Sequence, residues 1–353
     1  MGYSIGDAGI VMALFGLGAV TGAFLGGKLT DRIGYYPVQL ITLIGGGILF
    51  MVLGQMKQFP LICLFTYLLS MVNEAFRPAN STAIIAYSKE GTRTRSYALN
   101  RLAINLGWAV GSAVGGMLAA INYELLFWVD GVTNITAALL MWYFLRPSKQ
   151  VTPAKKKTVA DPLHSPYRDK VYLWFILLTI LFAACFFQLF TNLNAWFKIE
   201  LHFNERFIGI IGALNGVMIS LIEMVLIFKI EGRRSSFFYI SRGVTLVGIA
   251  YIMLNIFHIN HVMALVMMVV MTMGEILSLP FMNTFWTSRS ADHNRGQYAG
   301  LYTIAWSIAQ TGGPLLGAQI AEHYGFQVLW WVLGAASFVT AIGFVWLKKV
   351  SGL

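Results

Sequence analysis

The stretch VYLWFILLTILFAACFFQLF, residues 171–190, contains no charged side chain. A bilayer core about 30 Å thick is crossed by about 20 consecutive apolar residues in an α-helix, so this stretch predicts a transmembrane helix. Further stretches of comparable length and composition lie on either side of it. The predicted spans are residues 8–27, 36–56, 60–86, 97–121, 124–145, 171–194, 206–228, 236–256, 261–286, 296–321 and 325–347.

The composition argues against a water-soluble protein. Hydrophobic residues make up 57% of the 353 residues and charged residues only 11%, whereas a soluble domain carries about 25% charged residues. The two cysteines, Cys63 and Cys185, both lie in apolar runs, so neither a disulfide framework nor a cysteine metal site is predicted. We therefore predict an all-α membrane protein that uses no cofactor and no metal.

Positive charge is distributed unevenly between the two ends of the predicted spans. The formal net charge is +10. If residue 1 lies outside, 21 of the 25 basic residues lie inside, including Arg93, Arg95 and Arg101, and Arg77 lies within a span. Cytoplasmic loops carry an excess of Lys and Arg. The basic character therefore indicates topology. We expect no nucleic-acid partner, a cytoplasmic C-terminus and a multi-pass location in a bacterial inner membrane.

A polar segment divides the predicted helices into two groups. Residues 146–170 contain four prolines and the basic run KKK at 155–157, which is typical of a solvated linker. Five spans precede this segment and six follow it. The predicted organisation is an N-terminal half at residues 1–145, a cytoplasmic linker at 146–170 and a C-terminal half at 171–353.

The two halves resemble each other at a nearly constant offset. LLFWVDG at 125–131 corresponds to VLWWVLG at 328–334, an offset of 203. Such self-similarity indicates two parallel copies of one helical unit, related by an axis along the membrane normal. Offsets of 200 to 202 relate the further pairs Asp31 and Glu231, Glu74 and Glu275, Pro78 and Pro280, and Gly111 and Gly313.

The same offset places the counterpart of span 171–194 before Met1. The first half then has one predicted helix fewer than the second. We therefore expect the chain to lack the first helix of a twelve-helix protein, either through a mis-called start or through a truncation.

A short motif follows the first span. Gly27-Lys-Leu-Thr-Asp31-Arg32-Ile-Gly34 resembles the cytoplasmic signature G-x-L-a-D-R-x-G-R-R of the major facilitator superfamily, although Tyr35-Tyr36 replace its two arginines. A carboxylate at a helix junction can cap a helix N-terminus or pair with a base. The resemblance implies that Asp31 latches the cytoplasmic side when the pore faces out. The predicted gating loop comprises Gly27, Asp31, Arg32 and Gly34.

A second motif lies in span 97–121. Gly107-Trp-Ala-Val-Gly111-Ser112-Ala-Val-Gly115-Gly116 resembles the fifth-helix signature g-x-x-x-G-P-x-x-G-G of the same family, with serine replacing its proline. Its counterpart in the second half is Gly313-Pro314-Leu-Leu-Gly317. Small residues at this spacing let two helix backbones approach closely. The predicted helix seam comprises Gly107, Gly111, Gly115, Gly116, Gly313, Pro314 and Gly317.

Together the two motifs imply the major facilitator fold. That fold has two pseudo-symmetric helical halves, here with 11 transmembrane helices of an expected 12. Residues 1–145 then correspond to helices 2–6 of the family layout, and residues 171–353 to helices 7–12. The drug:proton antiporter branch is the nearest likeness. Phe76-Arg77-Pro78-Ala79-Asn80 also resembles the F-K-P-N stretch of proton-coupled oligopeptide transporters.

Ionisable side chains inside a span are costly and usually line a cavity. Glu74 and Glu275 both lie about midway along their spans, and Arg77 lies one turn beyond Glu74. A carboxyl group in a medium of low dielectric favours its neutral form, which suits proton exchange. The alternative is a buried Glu74–Arg77 pair with no transport role. Glu223 lies nearer the basic loop 229–234 and is predicted to be a structural partner. The predicted proton or substrate pathway comprises Glu74, Arg77, Glu275, Asp130, Asn73, Asn105, Gln188 and Asn215.

The sequence favours a secondary transporter over an enzyme. No P-loop and no close cluster of a nucleophile with a base is present in the sequence. We expect a monomer in the lipid bilayer that moves a small-molecule substrate by alternating access, with protons as the coupling ion. Efflux of lipophilic compounds by antiport is the first choice. Trp108, Trp286, Tyr302 and Trp306 can build an aromatic wall for a lipophilic substrate. Proton-coupled uptake of peptides or other small solutes is the alternative. An intramembrane enzyme or a receptor is disfavoured.

Overall fold

A computed structural model describes residues 5–89, 92–145, 165–291 and 293–351. Most of the predicted linker lies outside the described residues. So do the side chains of Trp108 and Ser112 and the surroundings of Gly116. The described chain is helical and contains no strand. The helices are α1 (Ile5–Ile33), α2 (Tyr35–Gln55), α3 (Phe59–Tyr87), α4 (Arg93–Ile121), α5 (Glu124–Phe144), α6 (Lys170–Phe187), α7 (Asn192–Ile199), α8 (Glu205–Met218), α9 (Met224–Ile230), α10 (Ser236–Ile256), α11 (His261–Arg289), α12 (Arg295–Tyr324) and α13 (Phe326–Ser351).

Two of the predicted spans are interrupted helices. A 3₁₀ turn at Gln188–Phe190 separates α6 from α7, and a π-helical segment at Ile219–Glu223 separates α8 from α9. A π-helical turn inserts one residue into an α-helix and is frequent at functional sites. With these two pairs each taken as one segment, every one of the eleven predicted spans coincides with helix in the described residues.

Nine helical segments of the described chain are long and apolar enough to cross a membrane. They include Lys170–Ile199 and Arg206–Ile230, each of which runs through an interruption. The remaining two segments are α4, whose first turns carry Arg93, Arg95 and Arg101, and α12, which is rich in glycine and glutamine. The chain is therefore a multi-pass integral membrane protein, as predicted.

The described helices form two compact units. The first unit contains α1, α2, α3, α5, the part of α4 from Leu106 onward and the part of α12 up to Ser307. The second unit contains α6 to α11, α13, the part of α4 up to Asn105 and the part of α12 from Ile308 onward. Two helices thus contribute residues to both units.

In the first unit, α1 packs closely along α3. A Cβ atom added to Gly18 would lie 2.5 Å from the carbonyl oxygen of Tyr67, and one added to Gly26 would lie 2.5 Å from the Cα of Ala75. Ser70 on α3 also donates a 2.6 Å hydrogen bond to the carbonyl oxygen of Phe15. The small residues along α1 are therefore required for backbone approach, as in other membrane helix pairs.

In the second unit, α10 lies between α11 and α13 around an aromatic core. The rings of Phe237 and Phe285 have centroids 4.4 Å apart, and Phe175 lies 4.6 Å from Phe285. Trp330 is fully buried and stacks on Tyr251 at 5.8 Å. This core holds α6, α10, α11 and α13 together. Glu275, an acidic residue of the candidate site, lies on α11.

Candidate functional site

An arginine on α4 bridges two buried glutamates in the second unit. Nη1 of Arg101 lies 2.9 Å from Oε2 of Glu223, and Nη2 lies 2.7 Å from Oε2 of Glu275. Both glutamate side chains are 1% exposed, and that of Arg101 is 15% exposed. Hydrogen bonds between ionised groups in such surroundings are short and strong. The three residues, which we call the Arg101 cluster, join α4, the π-helical segment and α11.

Neutral side chains complete the hydrogen bonding of this cluster. Asn215 on α8 donates through Nδ2 to Oε1 of Glu275 at 2.9 Å and lies at the same distance from Oγ1 of Thr272. The Thr272 hydroxyl in turn donates to the carbonyl oxygen of Met268. Oε1 of Glu223 is buried and has no hydrogen-bond partner among the described residues. One of the carboxylate oxygens of the cluster is therefore left without a donor.

Sequence reasoning predicted part of this cluster. It placed Glu275 and Asn215 in the pathway, and the structure brings these two into contact. It predicted a structural partner role for Glu223, whose side chain pairs with Arg101. The sequence analysis counted Arg101 among the basic residues on the cytoplasmic side. The missed signal is that Arg101 lies within span 97–121, where an arginine requires an acidic partner.

The pair predicted at Glu74 and Arg77 is present in the first unit. Nε of Arg77 lies 3.0 Å from Oε2 of Glu74, and the two side chains are 48% and 12% exposed, respectively. One turn further along α3, Asn80 accepts a 3.2 Å hydrogen bond from Nε2 of Gln39 on α2. The guanidinium of Arg77 is thus half exposed next to a nearly buried carboxylate.

The other predicted pathway residues lie in separate surroundings. Asn73 packs against Gly46 of α2. Asp130 is exposed, and its backbone carbonyl accepts from Asn134. Nδ2 of Asn105 is buried without a hydrogen-bond partner among the described residues. Within this part of the chain, no group of three His, Cys, Asp or Glu side chains is arranged to hold a metal ion.

The Asp31 carboxylate caps the N-terminus of α12. Its two oxygens accept the backbone N–H groups of Gly296 at 2.6 Å and Gln297 at 2.9 Å. The first N–H groups of a helix have no partner inside the helix, and the positive end of the helix dipole favours an anion there. A Cβ atom on Gly27 would lie 2.5 Å from the carbonyl oxygen of Gly296. Gly27 therefore permits the approach that Asp31 secures.

The rest of the predicted gating loop has simpler surroundings. Gly34 adopts φ +88° and makes the turn from α1 into α2. Few residues other than glycine adopt this conformation readily. The side chain of Arg32 is exposed.

A second cap occurs at the corresponding place in the repeat. Glu231, which directly follows α9, accepts the backbone N–H of Thr94 at 3.1 Å through Oε1. Its Oε2 lies 2.8 Å from Nε of Arg95. Thr94 is the second residue of α4, just as Gly296 is the second residue of α12. The repeat counterpart of the motif around Asp31 is Glu231-Gly-Arg233-Arg234, which keeps little of the motif. It nevertheless retains the helix-capping carboxylate.

Among the described residues, the predicted helix seam is filled in the α12 copy and has few close neighbours in the α4 copy. In the second unit, a Cβ atom on Gly313 would lie 2.8 Å from the Cα of Ala184 on α6. Gln188 donates to the carbonyl oxygen of Gly313 at 2.7 Å, and Asn192 donates to that of Pro314 at 3.0 Å. Gly317 packs against the same two polar side chains.

The α4 copy of the seam differs in the part of the chain that the structure describes. There, a Cβ atom on Gly107 or Gly111 would meet nothing within 4 Å, and one on Gly115 would meet Leu126 at 3.8 Å. Gly116 lies on α4 with its surroundings outside the described residues. The seam glycines of α12 therefore serve close packing, whereas Gly107 and Gly111 of α4 have no close neighbour among the described residues.

Sequence comparison assigns the chain to a family. The sequence model of the Major Facilitator Superfamily matches residues 1–314 and 232–351. The chain belongs to the Major Facilitator Superfamily. It is a transporter and not an enzyme, as the sequence predicted, and members of this family carry small-molecule substrates by secondary transport.

The relatives of this superfamily member include drug-resistance proteins. YttB, an MFS-type transporter of Bacillus subtilis, is 23% identical over 337 residues, with 93% of this chain and 83% of YttB covered. The class B tetracycline resistance protein of Escherichia coli is 23% identical, with coverage of 95% and 84%. The quinolone resistance protein NorA of Staphylococcus aureus is 18% identical, with coverage of 95% and 86%.

Solved structures show the same fold. The human organic anion transporter MFSD10 superposes with a TM-score of 0.79 at 16% identity, with 96% of this chain and 83% of that chain covered. FucP of E. coli in its outward conformation gives a TM-score of 0.74 at 11% identity, with coverage of 96% and 90%. At these identities the likeness establishes the major facilitator fold predicted from the motifs.

Proposed function

We propose that this protein exports lipophilic small molecules in exchange for protons, in the inner membrane of a bacterium with its C-terminus in the cytoplasm. The observation that carries the proposal is the presence of nearly or fully buried glutamates inside apolar helices, each beside a single arginine. Intramembrane carboxyl groups are the usual proton carriers of transporters. Relatives named for tetracycline and quinolone resistance support efflux as the direction.

Glu74 and Arg77 form the substrate and proton pathway of the first half in this proposal. The carboxylate is nearly buried, while the guanidinium is half exposed. Protonation of Glu74 would release Arg77 from its ion pair and allow it to meet a second anionic group. Glu275, the repeat counterpart of Glu74, serves the second half together with Asn215. Asn73, Asn105, Asp130 and Gln188 are proposed to line the same pathway.

Alternating access is proposed to occur between two halves, residues 1–145 and 171–353, joined by the linker at 146–170. The caps made by Asp31 and Glu231 would hold the cytoplasmic ends of α12 and α4 in the present arrangement. Breaking a cap exposes unpaired N–H groups of a helix end, which water can satisfy. Gates of this kind can therefore open at small cost.

Two of the aromatic residues proposed for a lipophilic wall lie together on α12. The rings of Tyr302 and Trp306 have centroids 6.2 Å apart. Aromatic side chains commonly line binding pockets for small apolar molecules. Trp286, in contrast, is fully buried and packs on Tyr97, so we assign it to the core.

Proton-coupled uptake is the alternative, and the half-exposed Arg77 beside Pro78 favours it if the substrate carries a carboxylate. FucP, which shares the fold, is named a fucose:proton symporter. In this alternative the same pair, Glu74 and Arg77, would bind the proton and the substrate carboxylate in turn.

Flux measurements test the proposal and separate the two directions. The full chain would be reconstituted in liposomes containing a pH-sensitive dye, with an imposed pH gradient. Tetracycline, a fluoroquinolone and a dipeptide would serve as probes. We expect a drug to move against the proton flow and the dipeptide to leave the dye unchanged. Accumulation of the dipeptide with protons would establish uptake instead.

A matched pair of variants examines the assigned carboxylate. Glu74→Gln removes the ionisable group at nearly constant volume, whereas Glu124→Gln changes an exposed residue at the start of α5. We expect gradient-driven flux to be lost in the first variant and kept in the second, at equal expression. Undiminished flux in Glu74→Gln would remove this residue from the mechanism.

A further inference from the structure

We propose that the Arg101 cluster is a binding site for one proton, carried by Glu223. This inference rests on the proposed proton-coupled function, and it assigns the place and the number of the bound protons. The sequence predicted a structural role for Glu223 and a cytoplasmic position for Arg101, so neither residue belongs to the pathway described above.

The charge balance of the cluster requires one more positive charge. Two carboxylates face one guanidinium, and both carboxylates are 1% exposed. In the described part of the chain, Arg101 is the base within ion-pair distance of either group. An uncompensated charge is expensive in a buried site, and such a group usually takes up a proton instead. One proton makes the cluster neutral.

The hydrogen bonds indicate which oxygen holds this proton. Oε2 of Glu275 accepts from Arg101 and its Oε1 accepts from Asn215. Oε2 of Glu223 accepts from Arg101. Oε1 of Glu223 is the remaining oxygen, and it is buried with no partner among the described residues. A proton on that oxygen leaves both hydrogen bonds to Glu275 charge-assisted, whereas a proton on either oxygen of Glu275 would weaken the hydrogen bond that this oxygen accepts.

The number of unoccupied carboxylate oxygens in the cluster favours a proton over a metal cation. Hard metal cations take six or more oxygen ligands. Three of the four carboxylate oxygens of the cluster already accept hydrogen bonds from described residues. A single free oxygen can bind a proton but cannot form a coordination shell. Tyr251 on the neighbouring helix α10 donates its hydroxyl to the carbonyl oxygen of Cys185, so it supplies neither charge nor ligand.

The site includes a helix whose residues are divided between the two units. Arg101 lies on the part of α4 that belongs to the second unit, while α4 from Leu106 onward belongs to the first. Glu223 ends a π-helical segment, whose extra residue sets the direction of its side chain. Loss of the proton would leave a net negative charge in the cluster, which favours entry of water beside α4. The protonated cluster therefore holds the beginning of α4 in place.

Infrared spectroscopy of the purified full chain tests the site without any transported substrate. A protonated carboxyl group gives a C=O band that shifts in D2O and is absent from a carboxylate. We expect one such band, equivalent to one group per protein, between about pH 6 and pH 9, where exposed carboxyl groups are ionised. Absence of this band from the wild-type protein would overturn the proposal, whatever the behaviour of any variant.

Three variants assign the band. Glu223→Gln and Glu275→Gln each leave one carboxylate for Arg101, so the band should disappear in both. Glu322→Gln alters an exposed glutamate on α12 and should keep it. Persistence of the band in both cluster variants would contradict the proposal. So would its removal by sodium at constant pH, since that result indicates a metal-cation site.

The infrared result is independent of the proposed transport function. If the band behaves as expected but drug flux ignores the pH gradient, the proton site stands and proton-coupled efflux fails. If flux follows the gradient but no band is found, proton coupling stands and its carrier lies elsewhere.

Discussion

Asp31 and Gly296 are joined by a 2.6 Å hydrogen bond from the backbone N–H of Gly296 to the carboxylate of Asp31. This contact connects the last turn of α1 to the first turn of α12. Asn294 directly precedes α12, but its Oδ1 accepts the backbone N–H of Ala291, outside the helix. The proposed gate therefore consists of a helix end and an anion, and it depends on charge as well as on hydrogen bonding.

Removal of the Asp31 carboxylate should loosen this contact. A capping side chain is worth about 1 kcal/mol, and a charge at a helix N-terminus adds about 0.3–1 kcal/mol. We expect Asp31→Ala to lower the melting temperature of the purified protein and to slow transport several-fold, while Asp31→Asn, which keeps one acceptor oxygen, has an intermediate effect. Arg32→Gln at the exposed neighbour serves as the control. Equal melting of Asp31→Ala and Arg32→Gln would contradict a capping role.

Glu231 should behave as the counterpart of Asp31. Glu231→Gln keeps an acceptor for the N–H of Thr94 but loses the ion pair with Arg95, whose side chain is 36% exposed. Exposed pairs contribute about 0.2–1 kcal/mol, so we expect a small loss of stability. The combination with Asp31→Asn should reduce transport by the product of the two single effects, because distant sites act independently. A double variant no slower than Asp31→Asn would show that the second cap has no part in gating.

Arg101 should be the most sensitive position of the second unit. Removing one partner from a buried ion pair costs about 3–5 kcal/mol, so Arg101→Gln should reduce stability severely. The triple variant that also carries Glu223→Gln and Glu275→Gln removes all the charges and should regain most of that loss, without regaining proton-coupled flux. Thermal unfolding of both proteins in detergent gives the comparison. A triple variant as unstable as Arg101→Gln would indicate packing, not charge, as the role of the arginine.

The two copies of the glycine seam should respond oppositely to an added methyl group. Gly313→Ala places a Cβ atom 2.8 Å from the Cα of Ala184, and overpacking typically costs about 1–3 kcal/mol. Gly111→Ala meets no described residue within 4 Å and gains up to about 1 kcal/mol of helix propensity. Melting temperatures should therefore fall for the first and hold or rise for the second. Equal losses in both would mean that a neighbour occupies the α4 face.

The helices were largely predictable because apolar runs of membrane length leave few alternatives. The predicted span 60–86 is α3 within one residue at each end, and 236–256 has the bounds of α10. The interruptions at Gln188 and Ile219 were not predicted. A 3₁₀ turn or a π-helical segment changes the register by single residues, and hydropathy summed over about 20 residues does not register such a change.

The contacts of the candidate site were predicted only between residues that are close in sequence. The Glu74–Arg77 pair follows from the turn of a helix, because residues three apart lie on one face. The pairing of Arg101 with Glu223 and Glu275 depends on three helices distant in sequence. Only the cost of an intramembrane charge indicated that partners must exist. Likewise, the repeat offset related Asp31 to Glu231, but the shared capping role required the position of the helix ends.

The division of α4 and α12 between the two units has a consequence for fragments of the chain. A cut in the linker separates the sequence into two polypeptides, yet neither polypeptide contains all the residues of one unit. The fragment ending at the cut would present the unpaired arginine of α4, and the other would present two glutamates without their base. The halves are thus complementary by charge, and each should accumulate in the membrane only when the other is made with it.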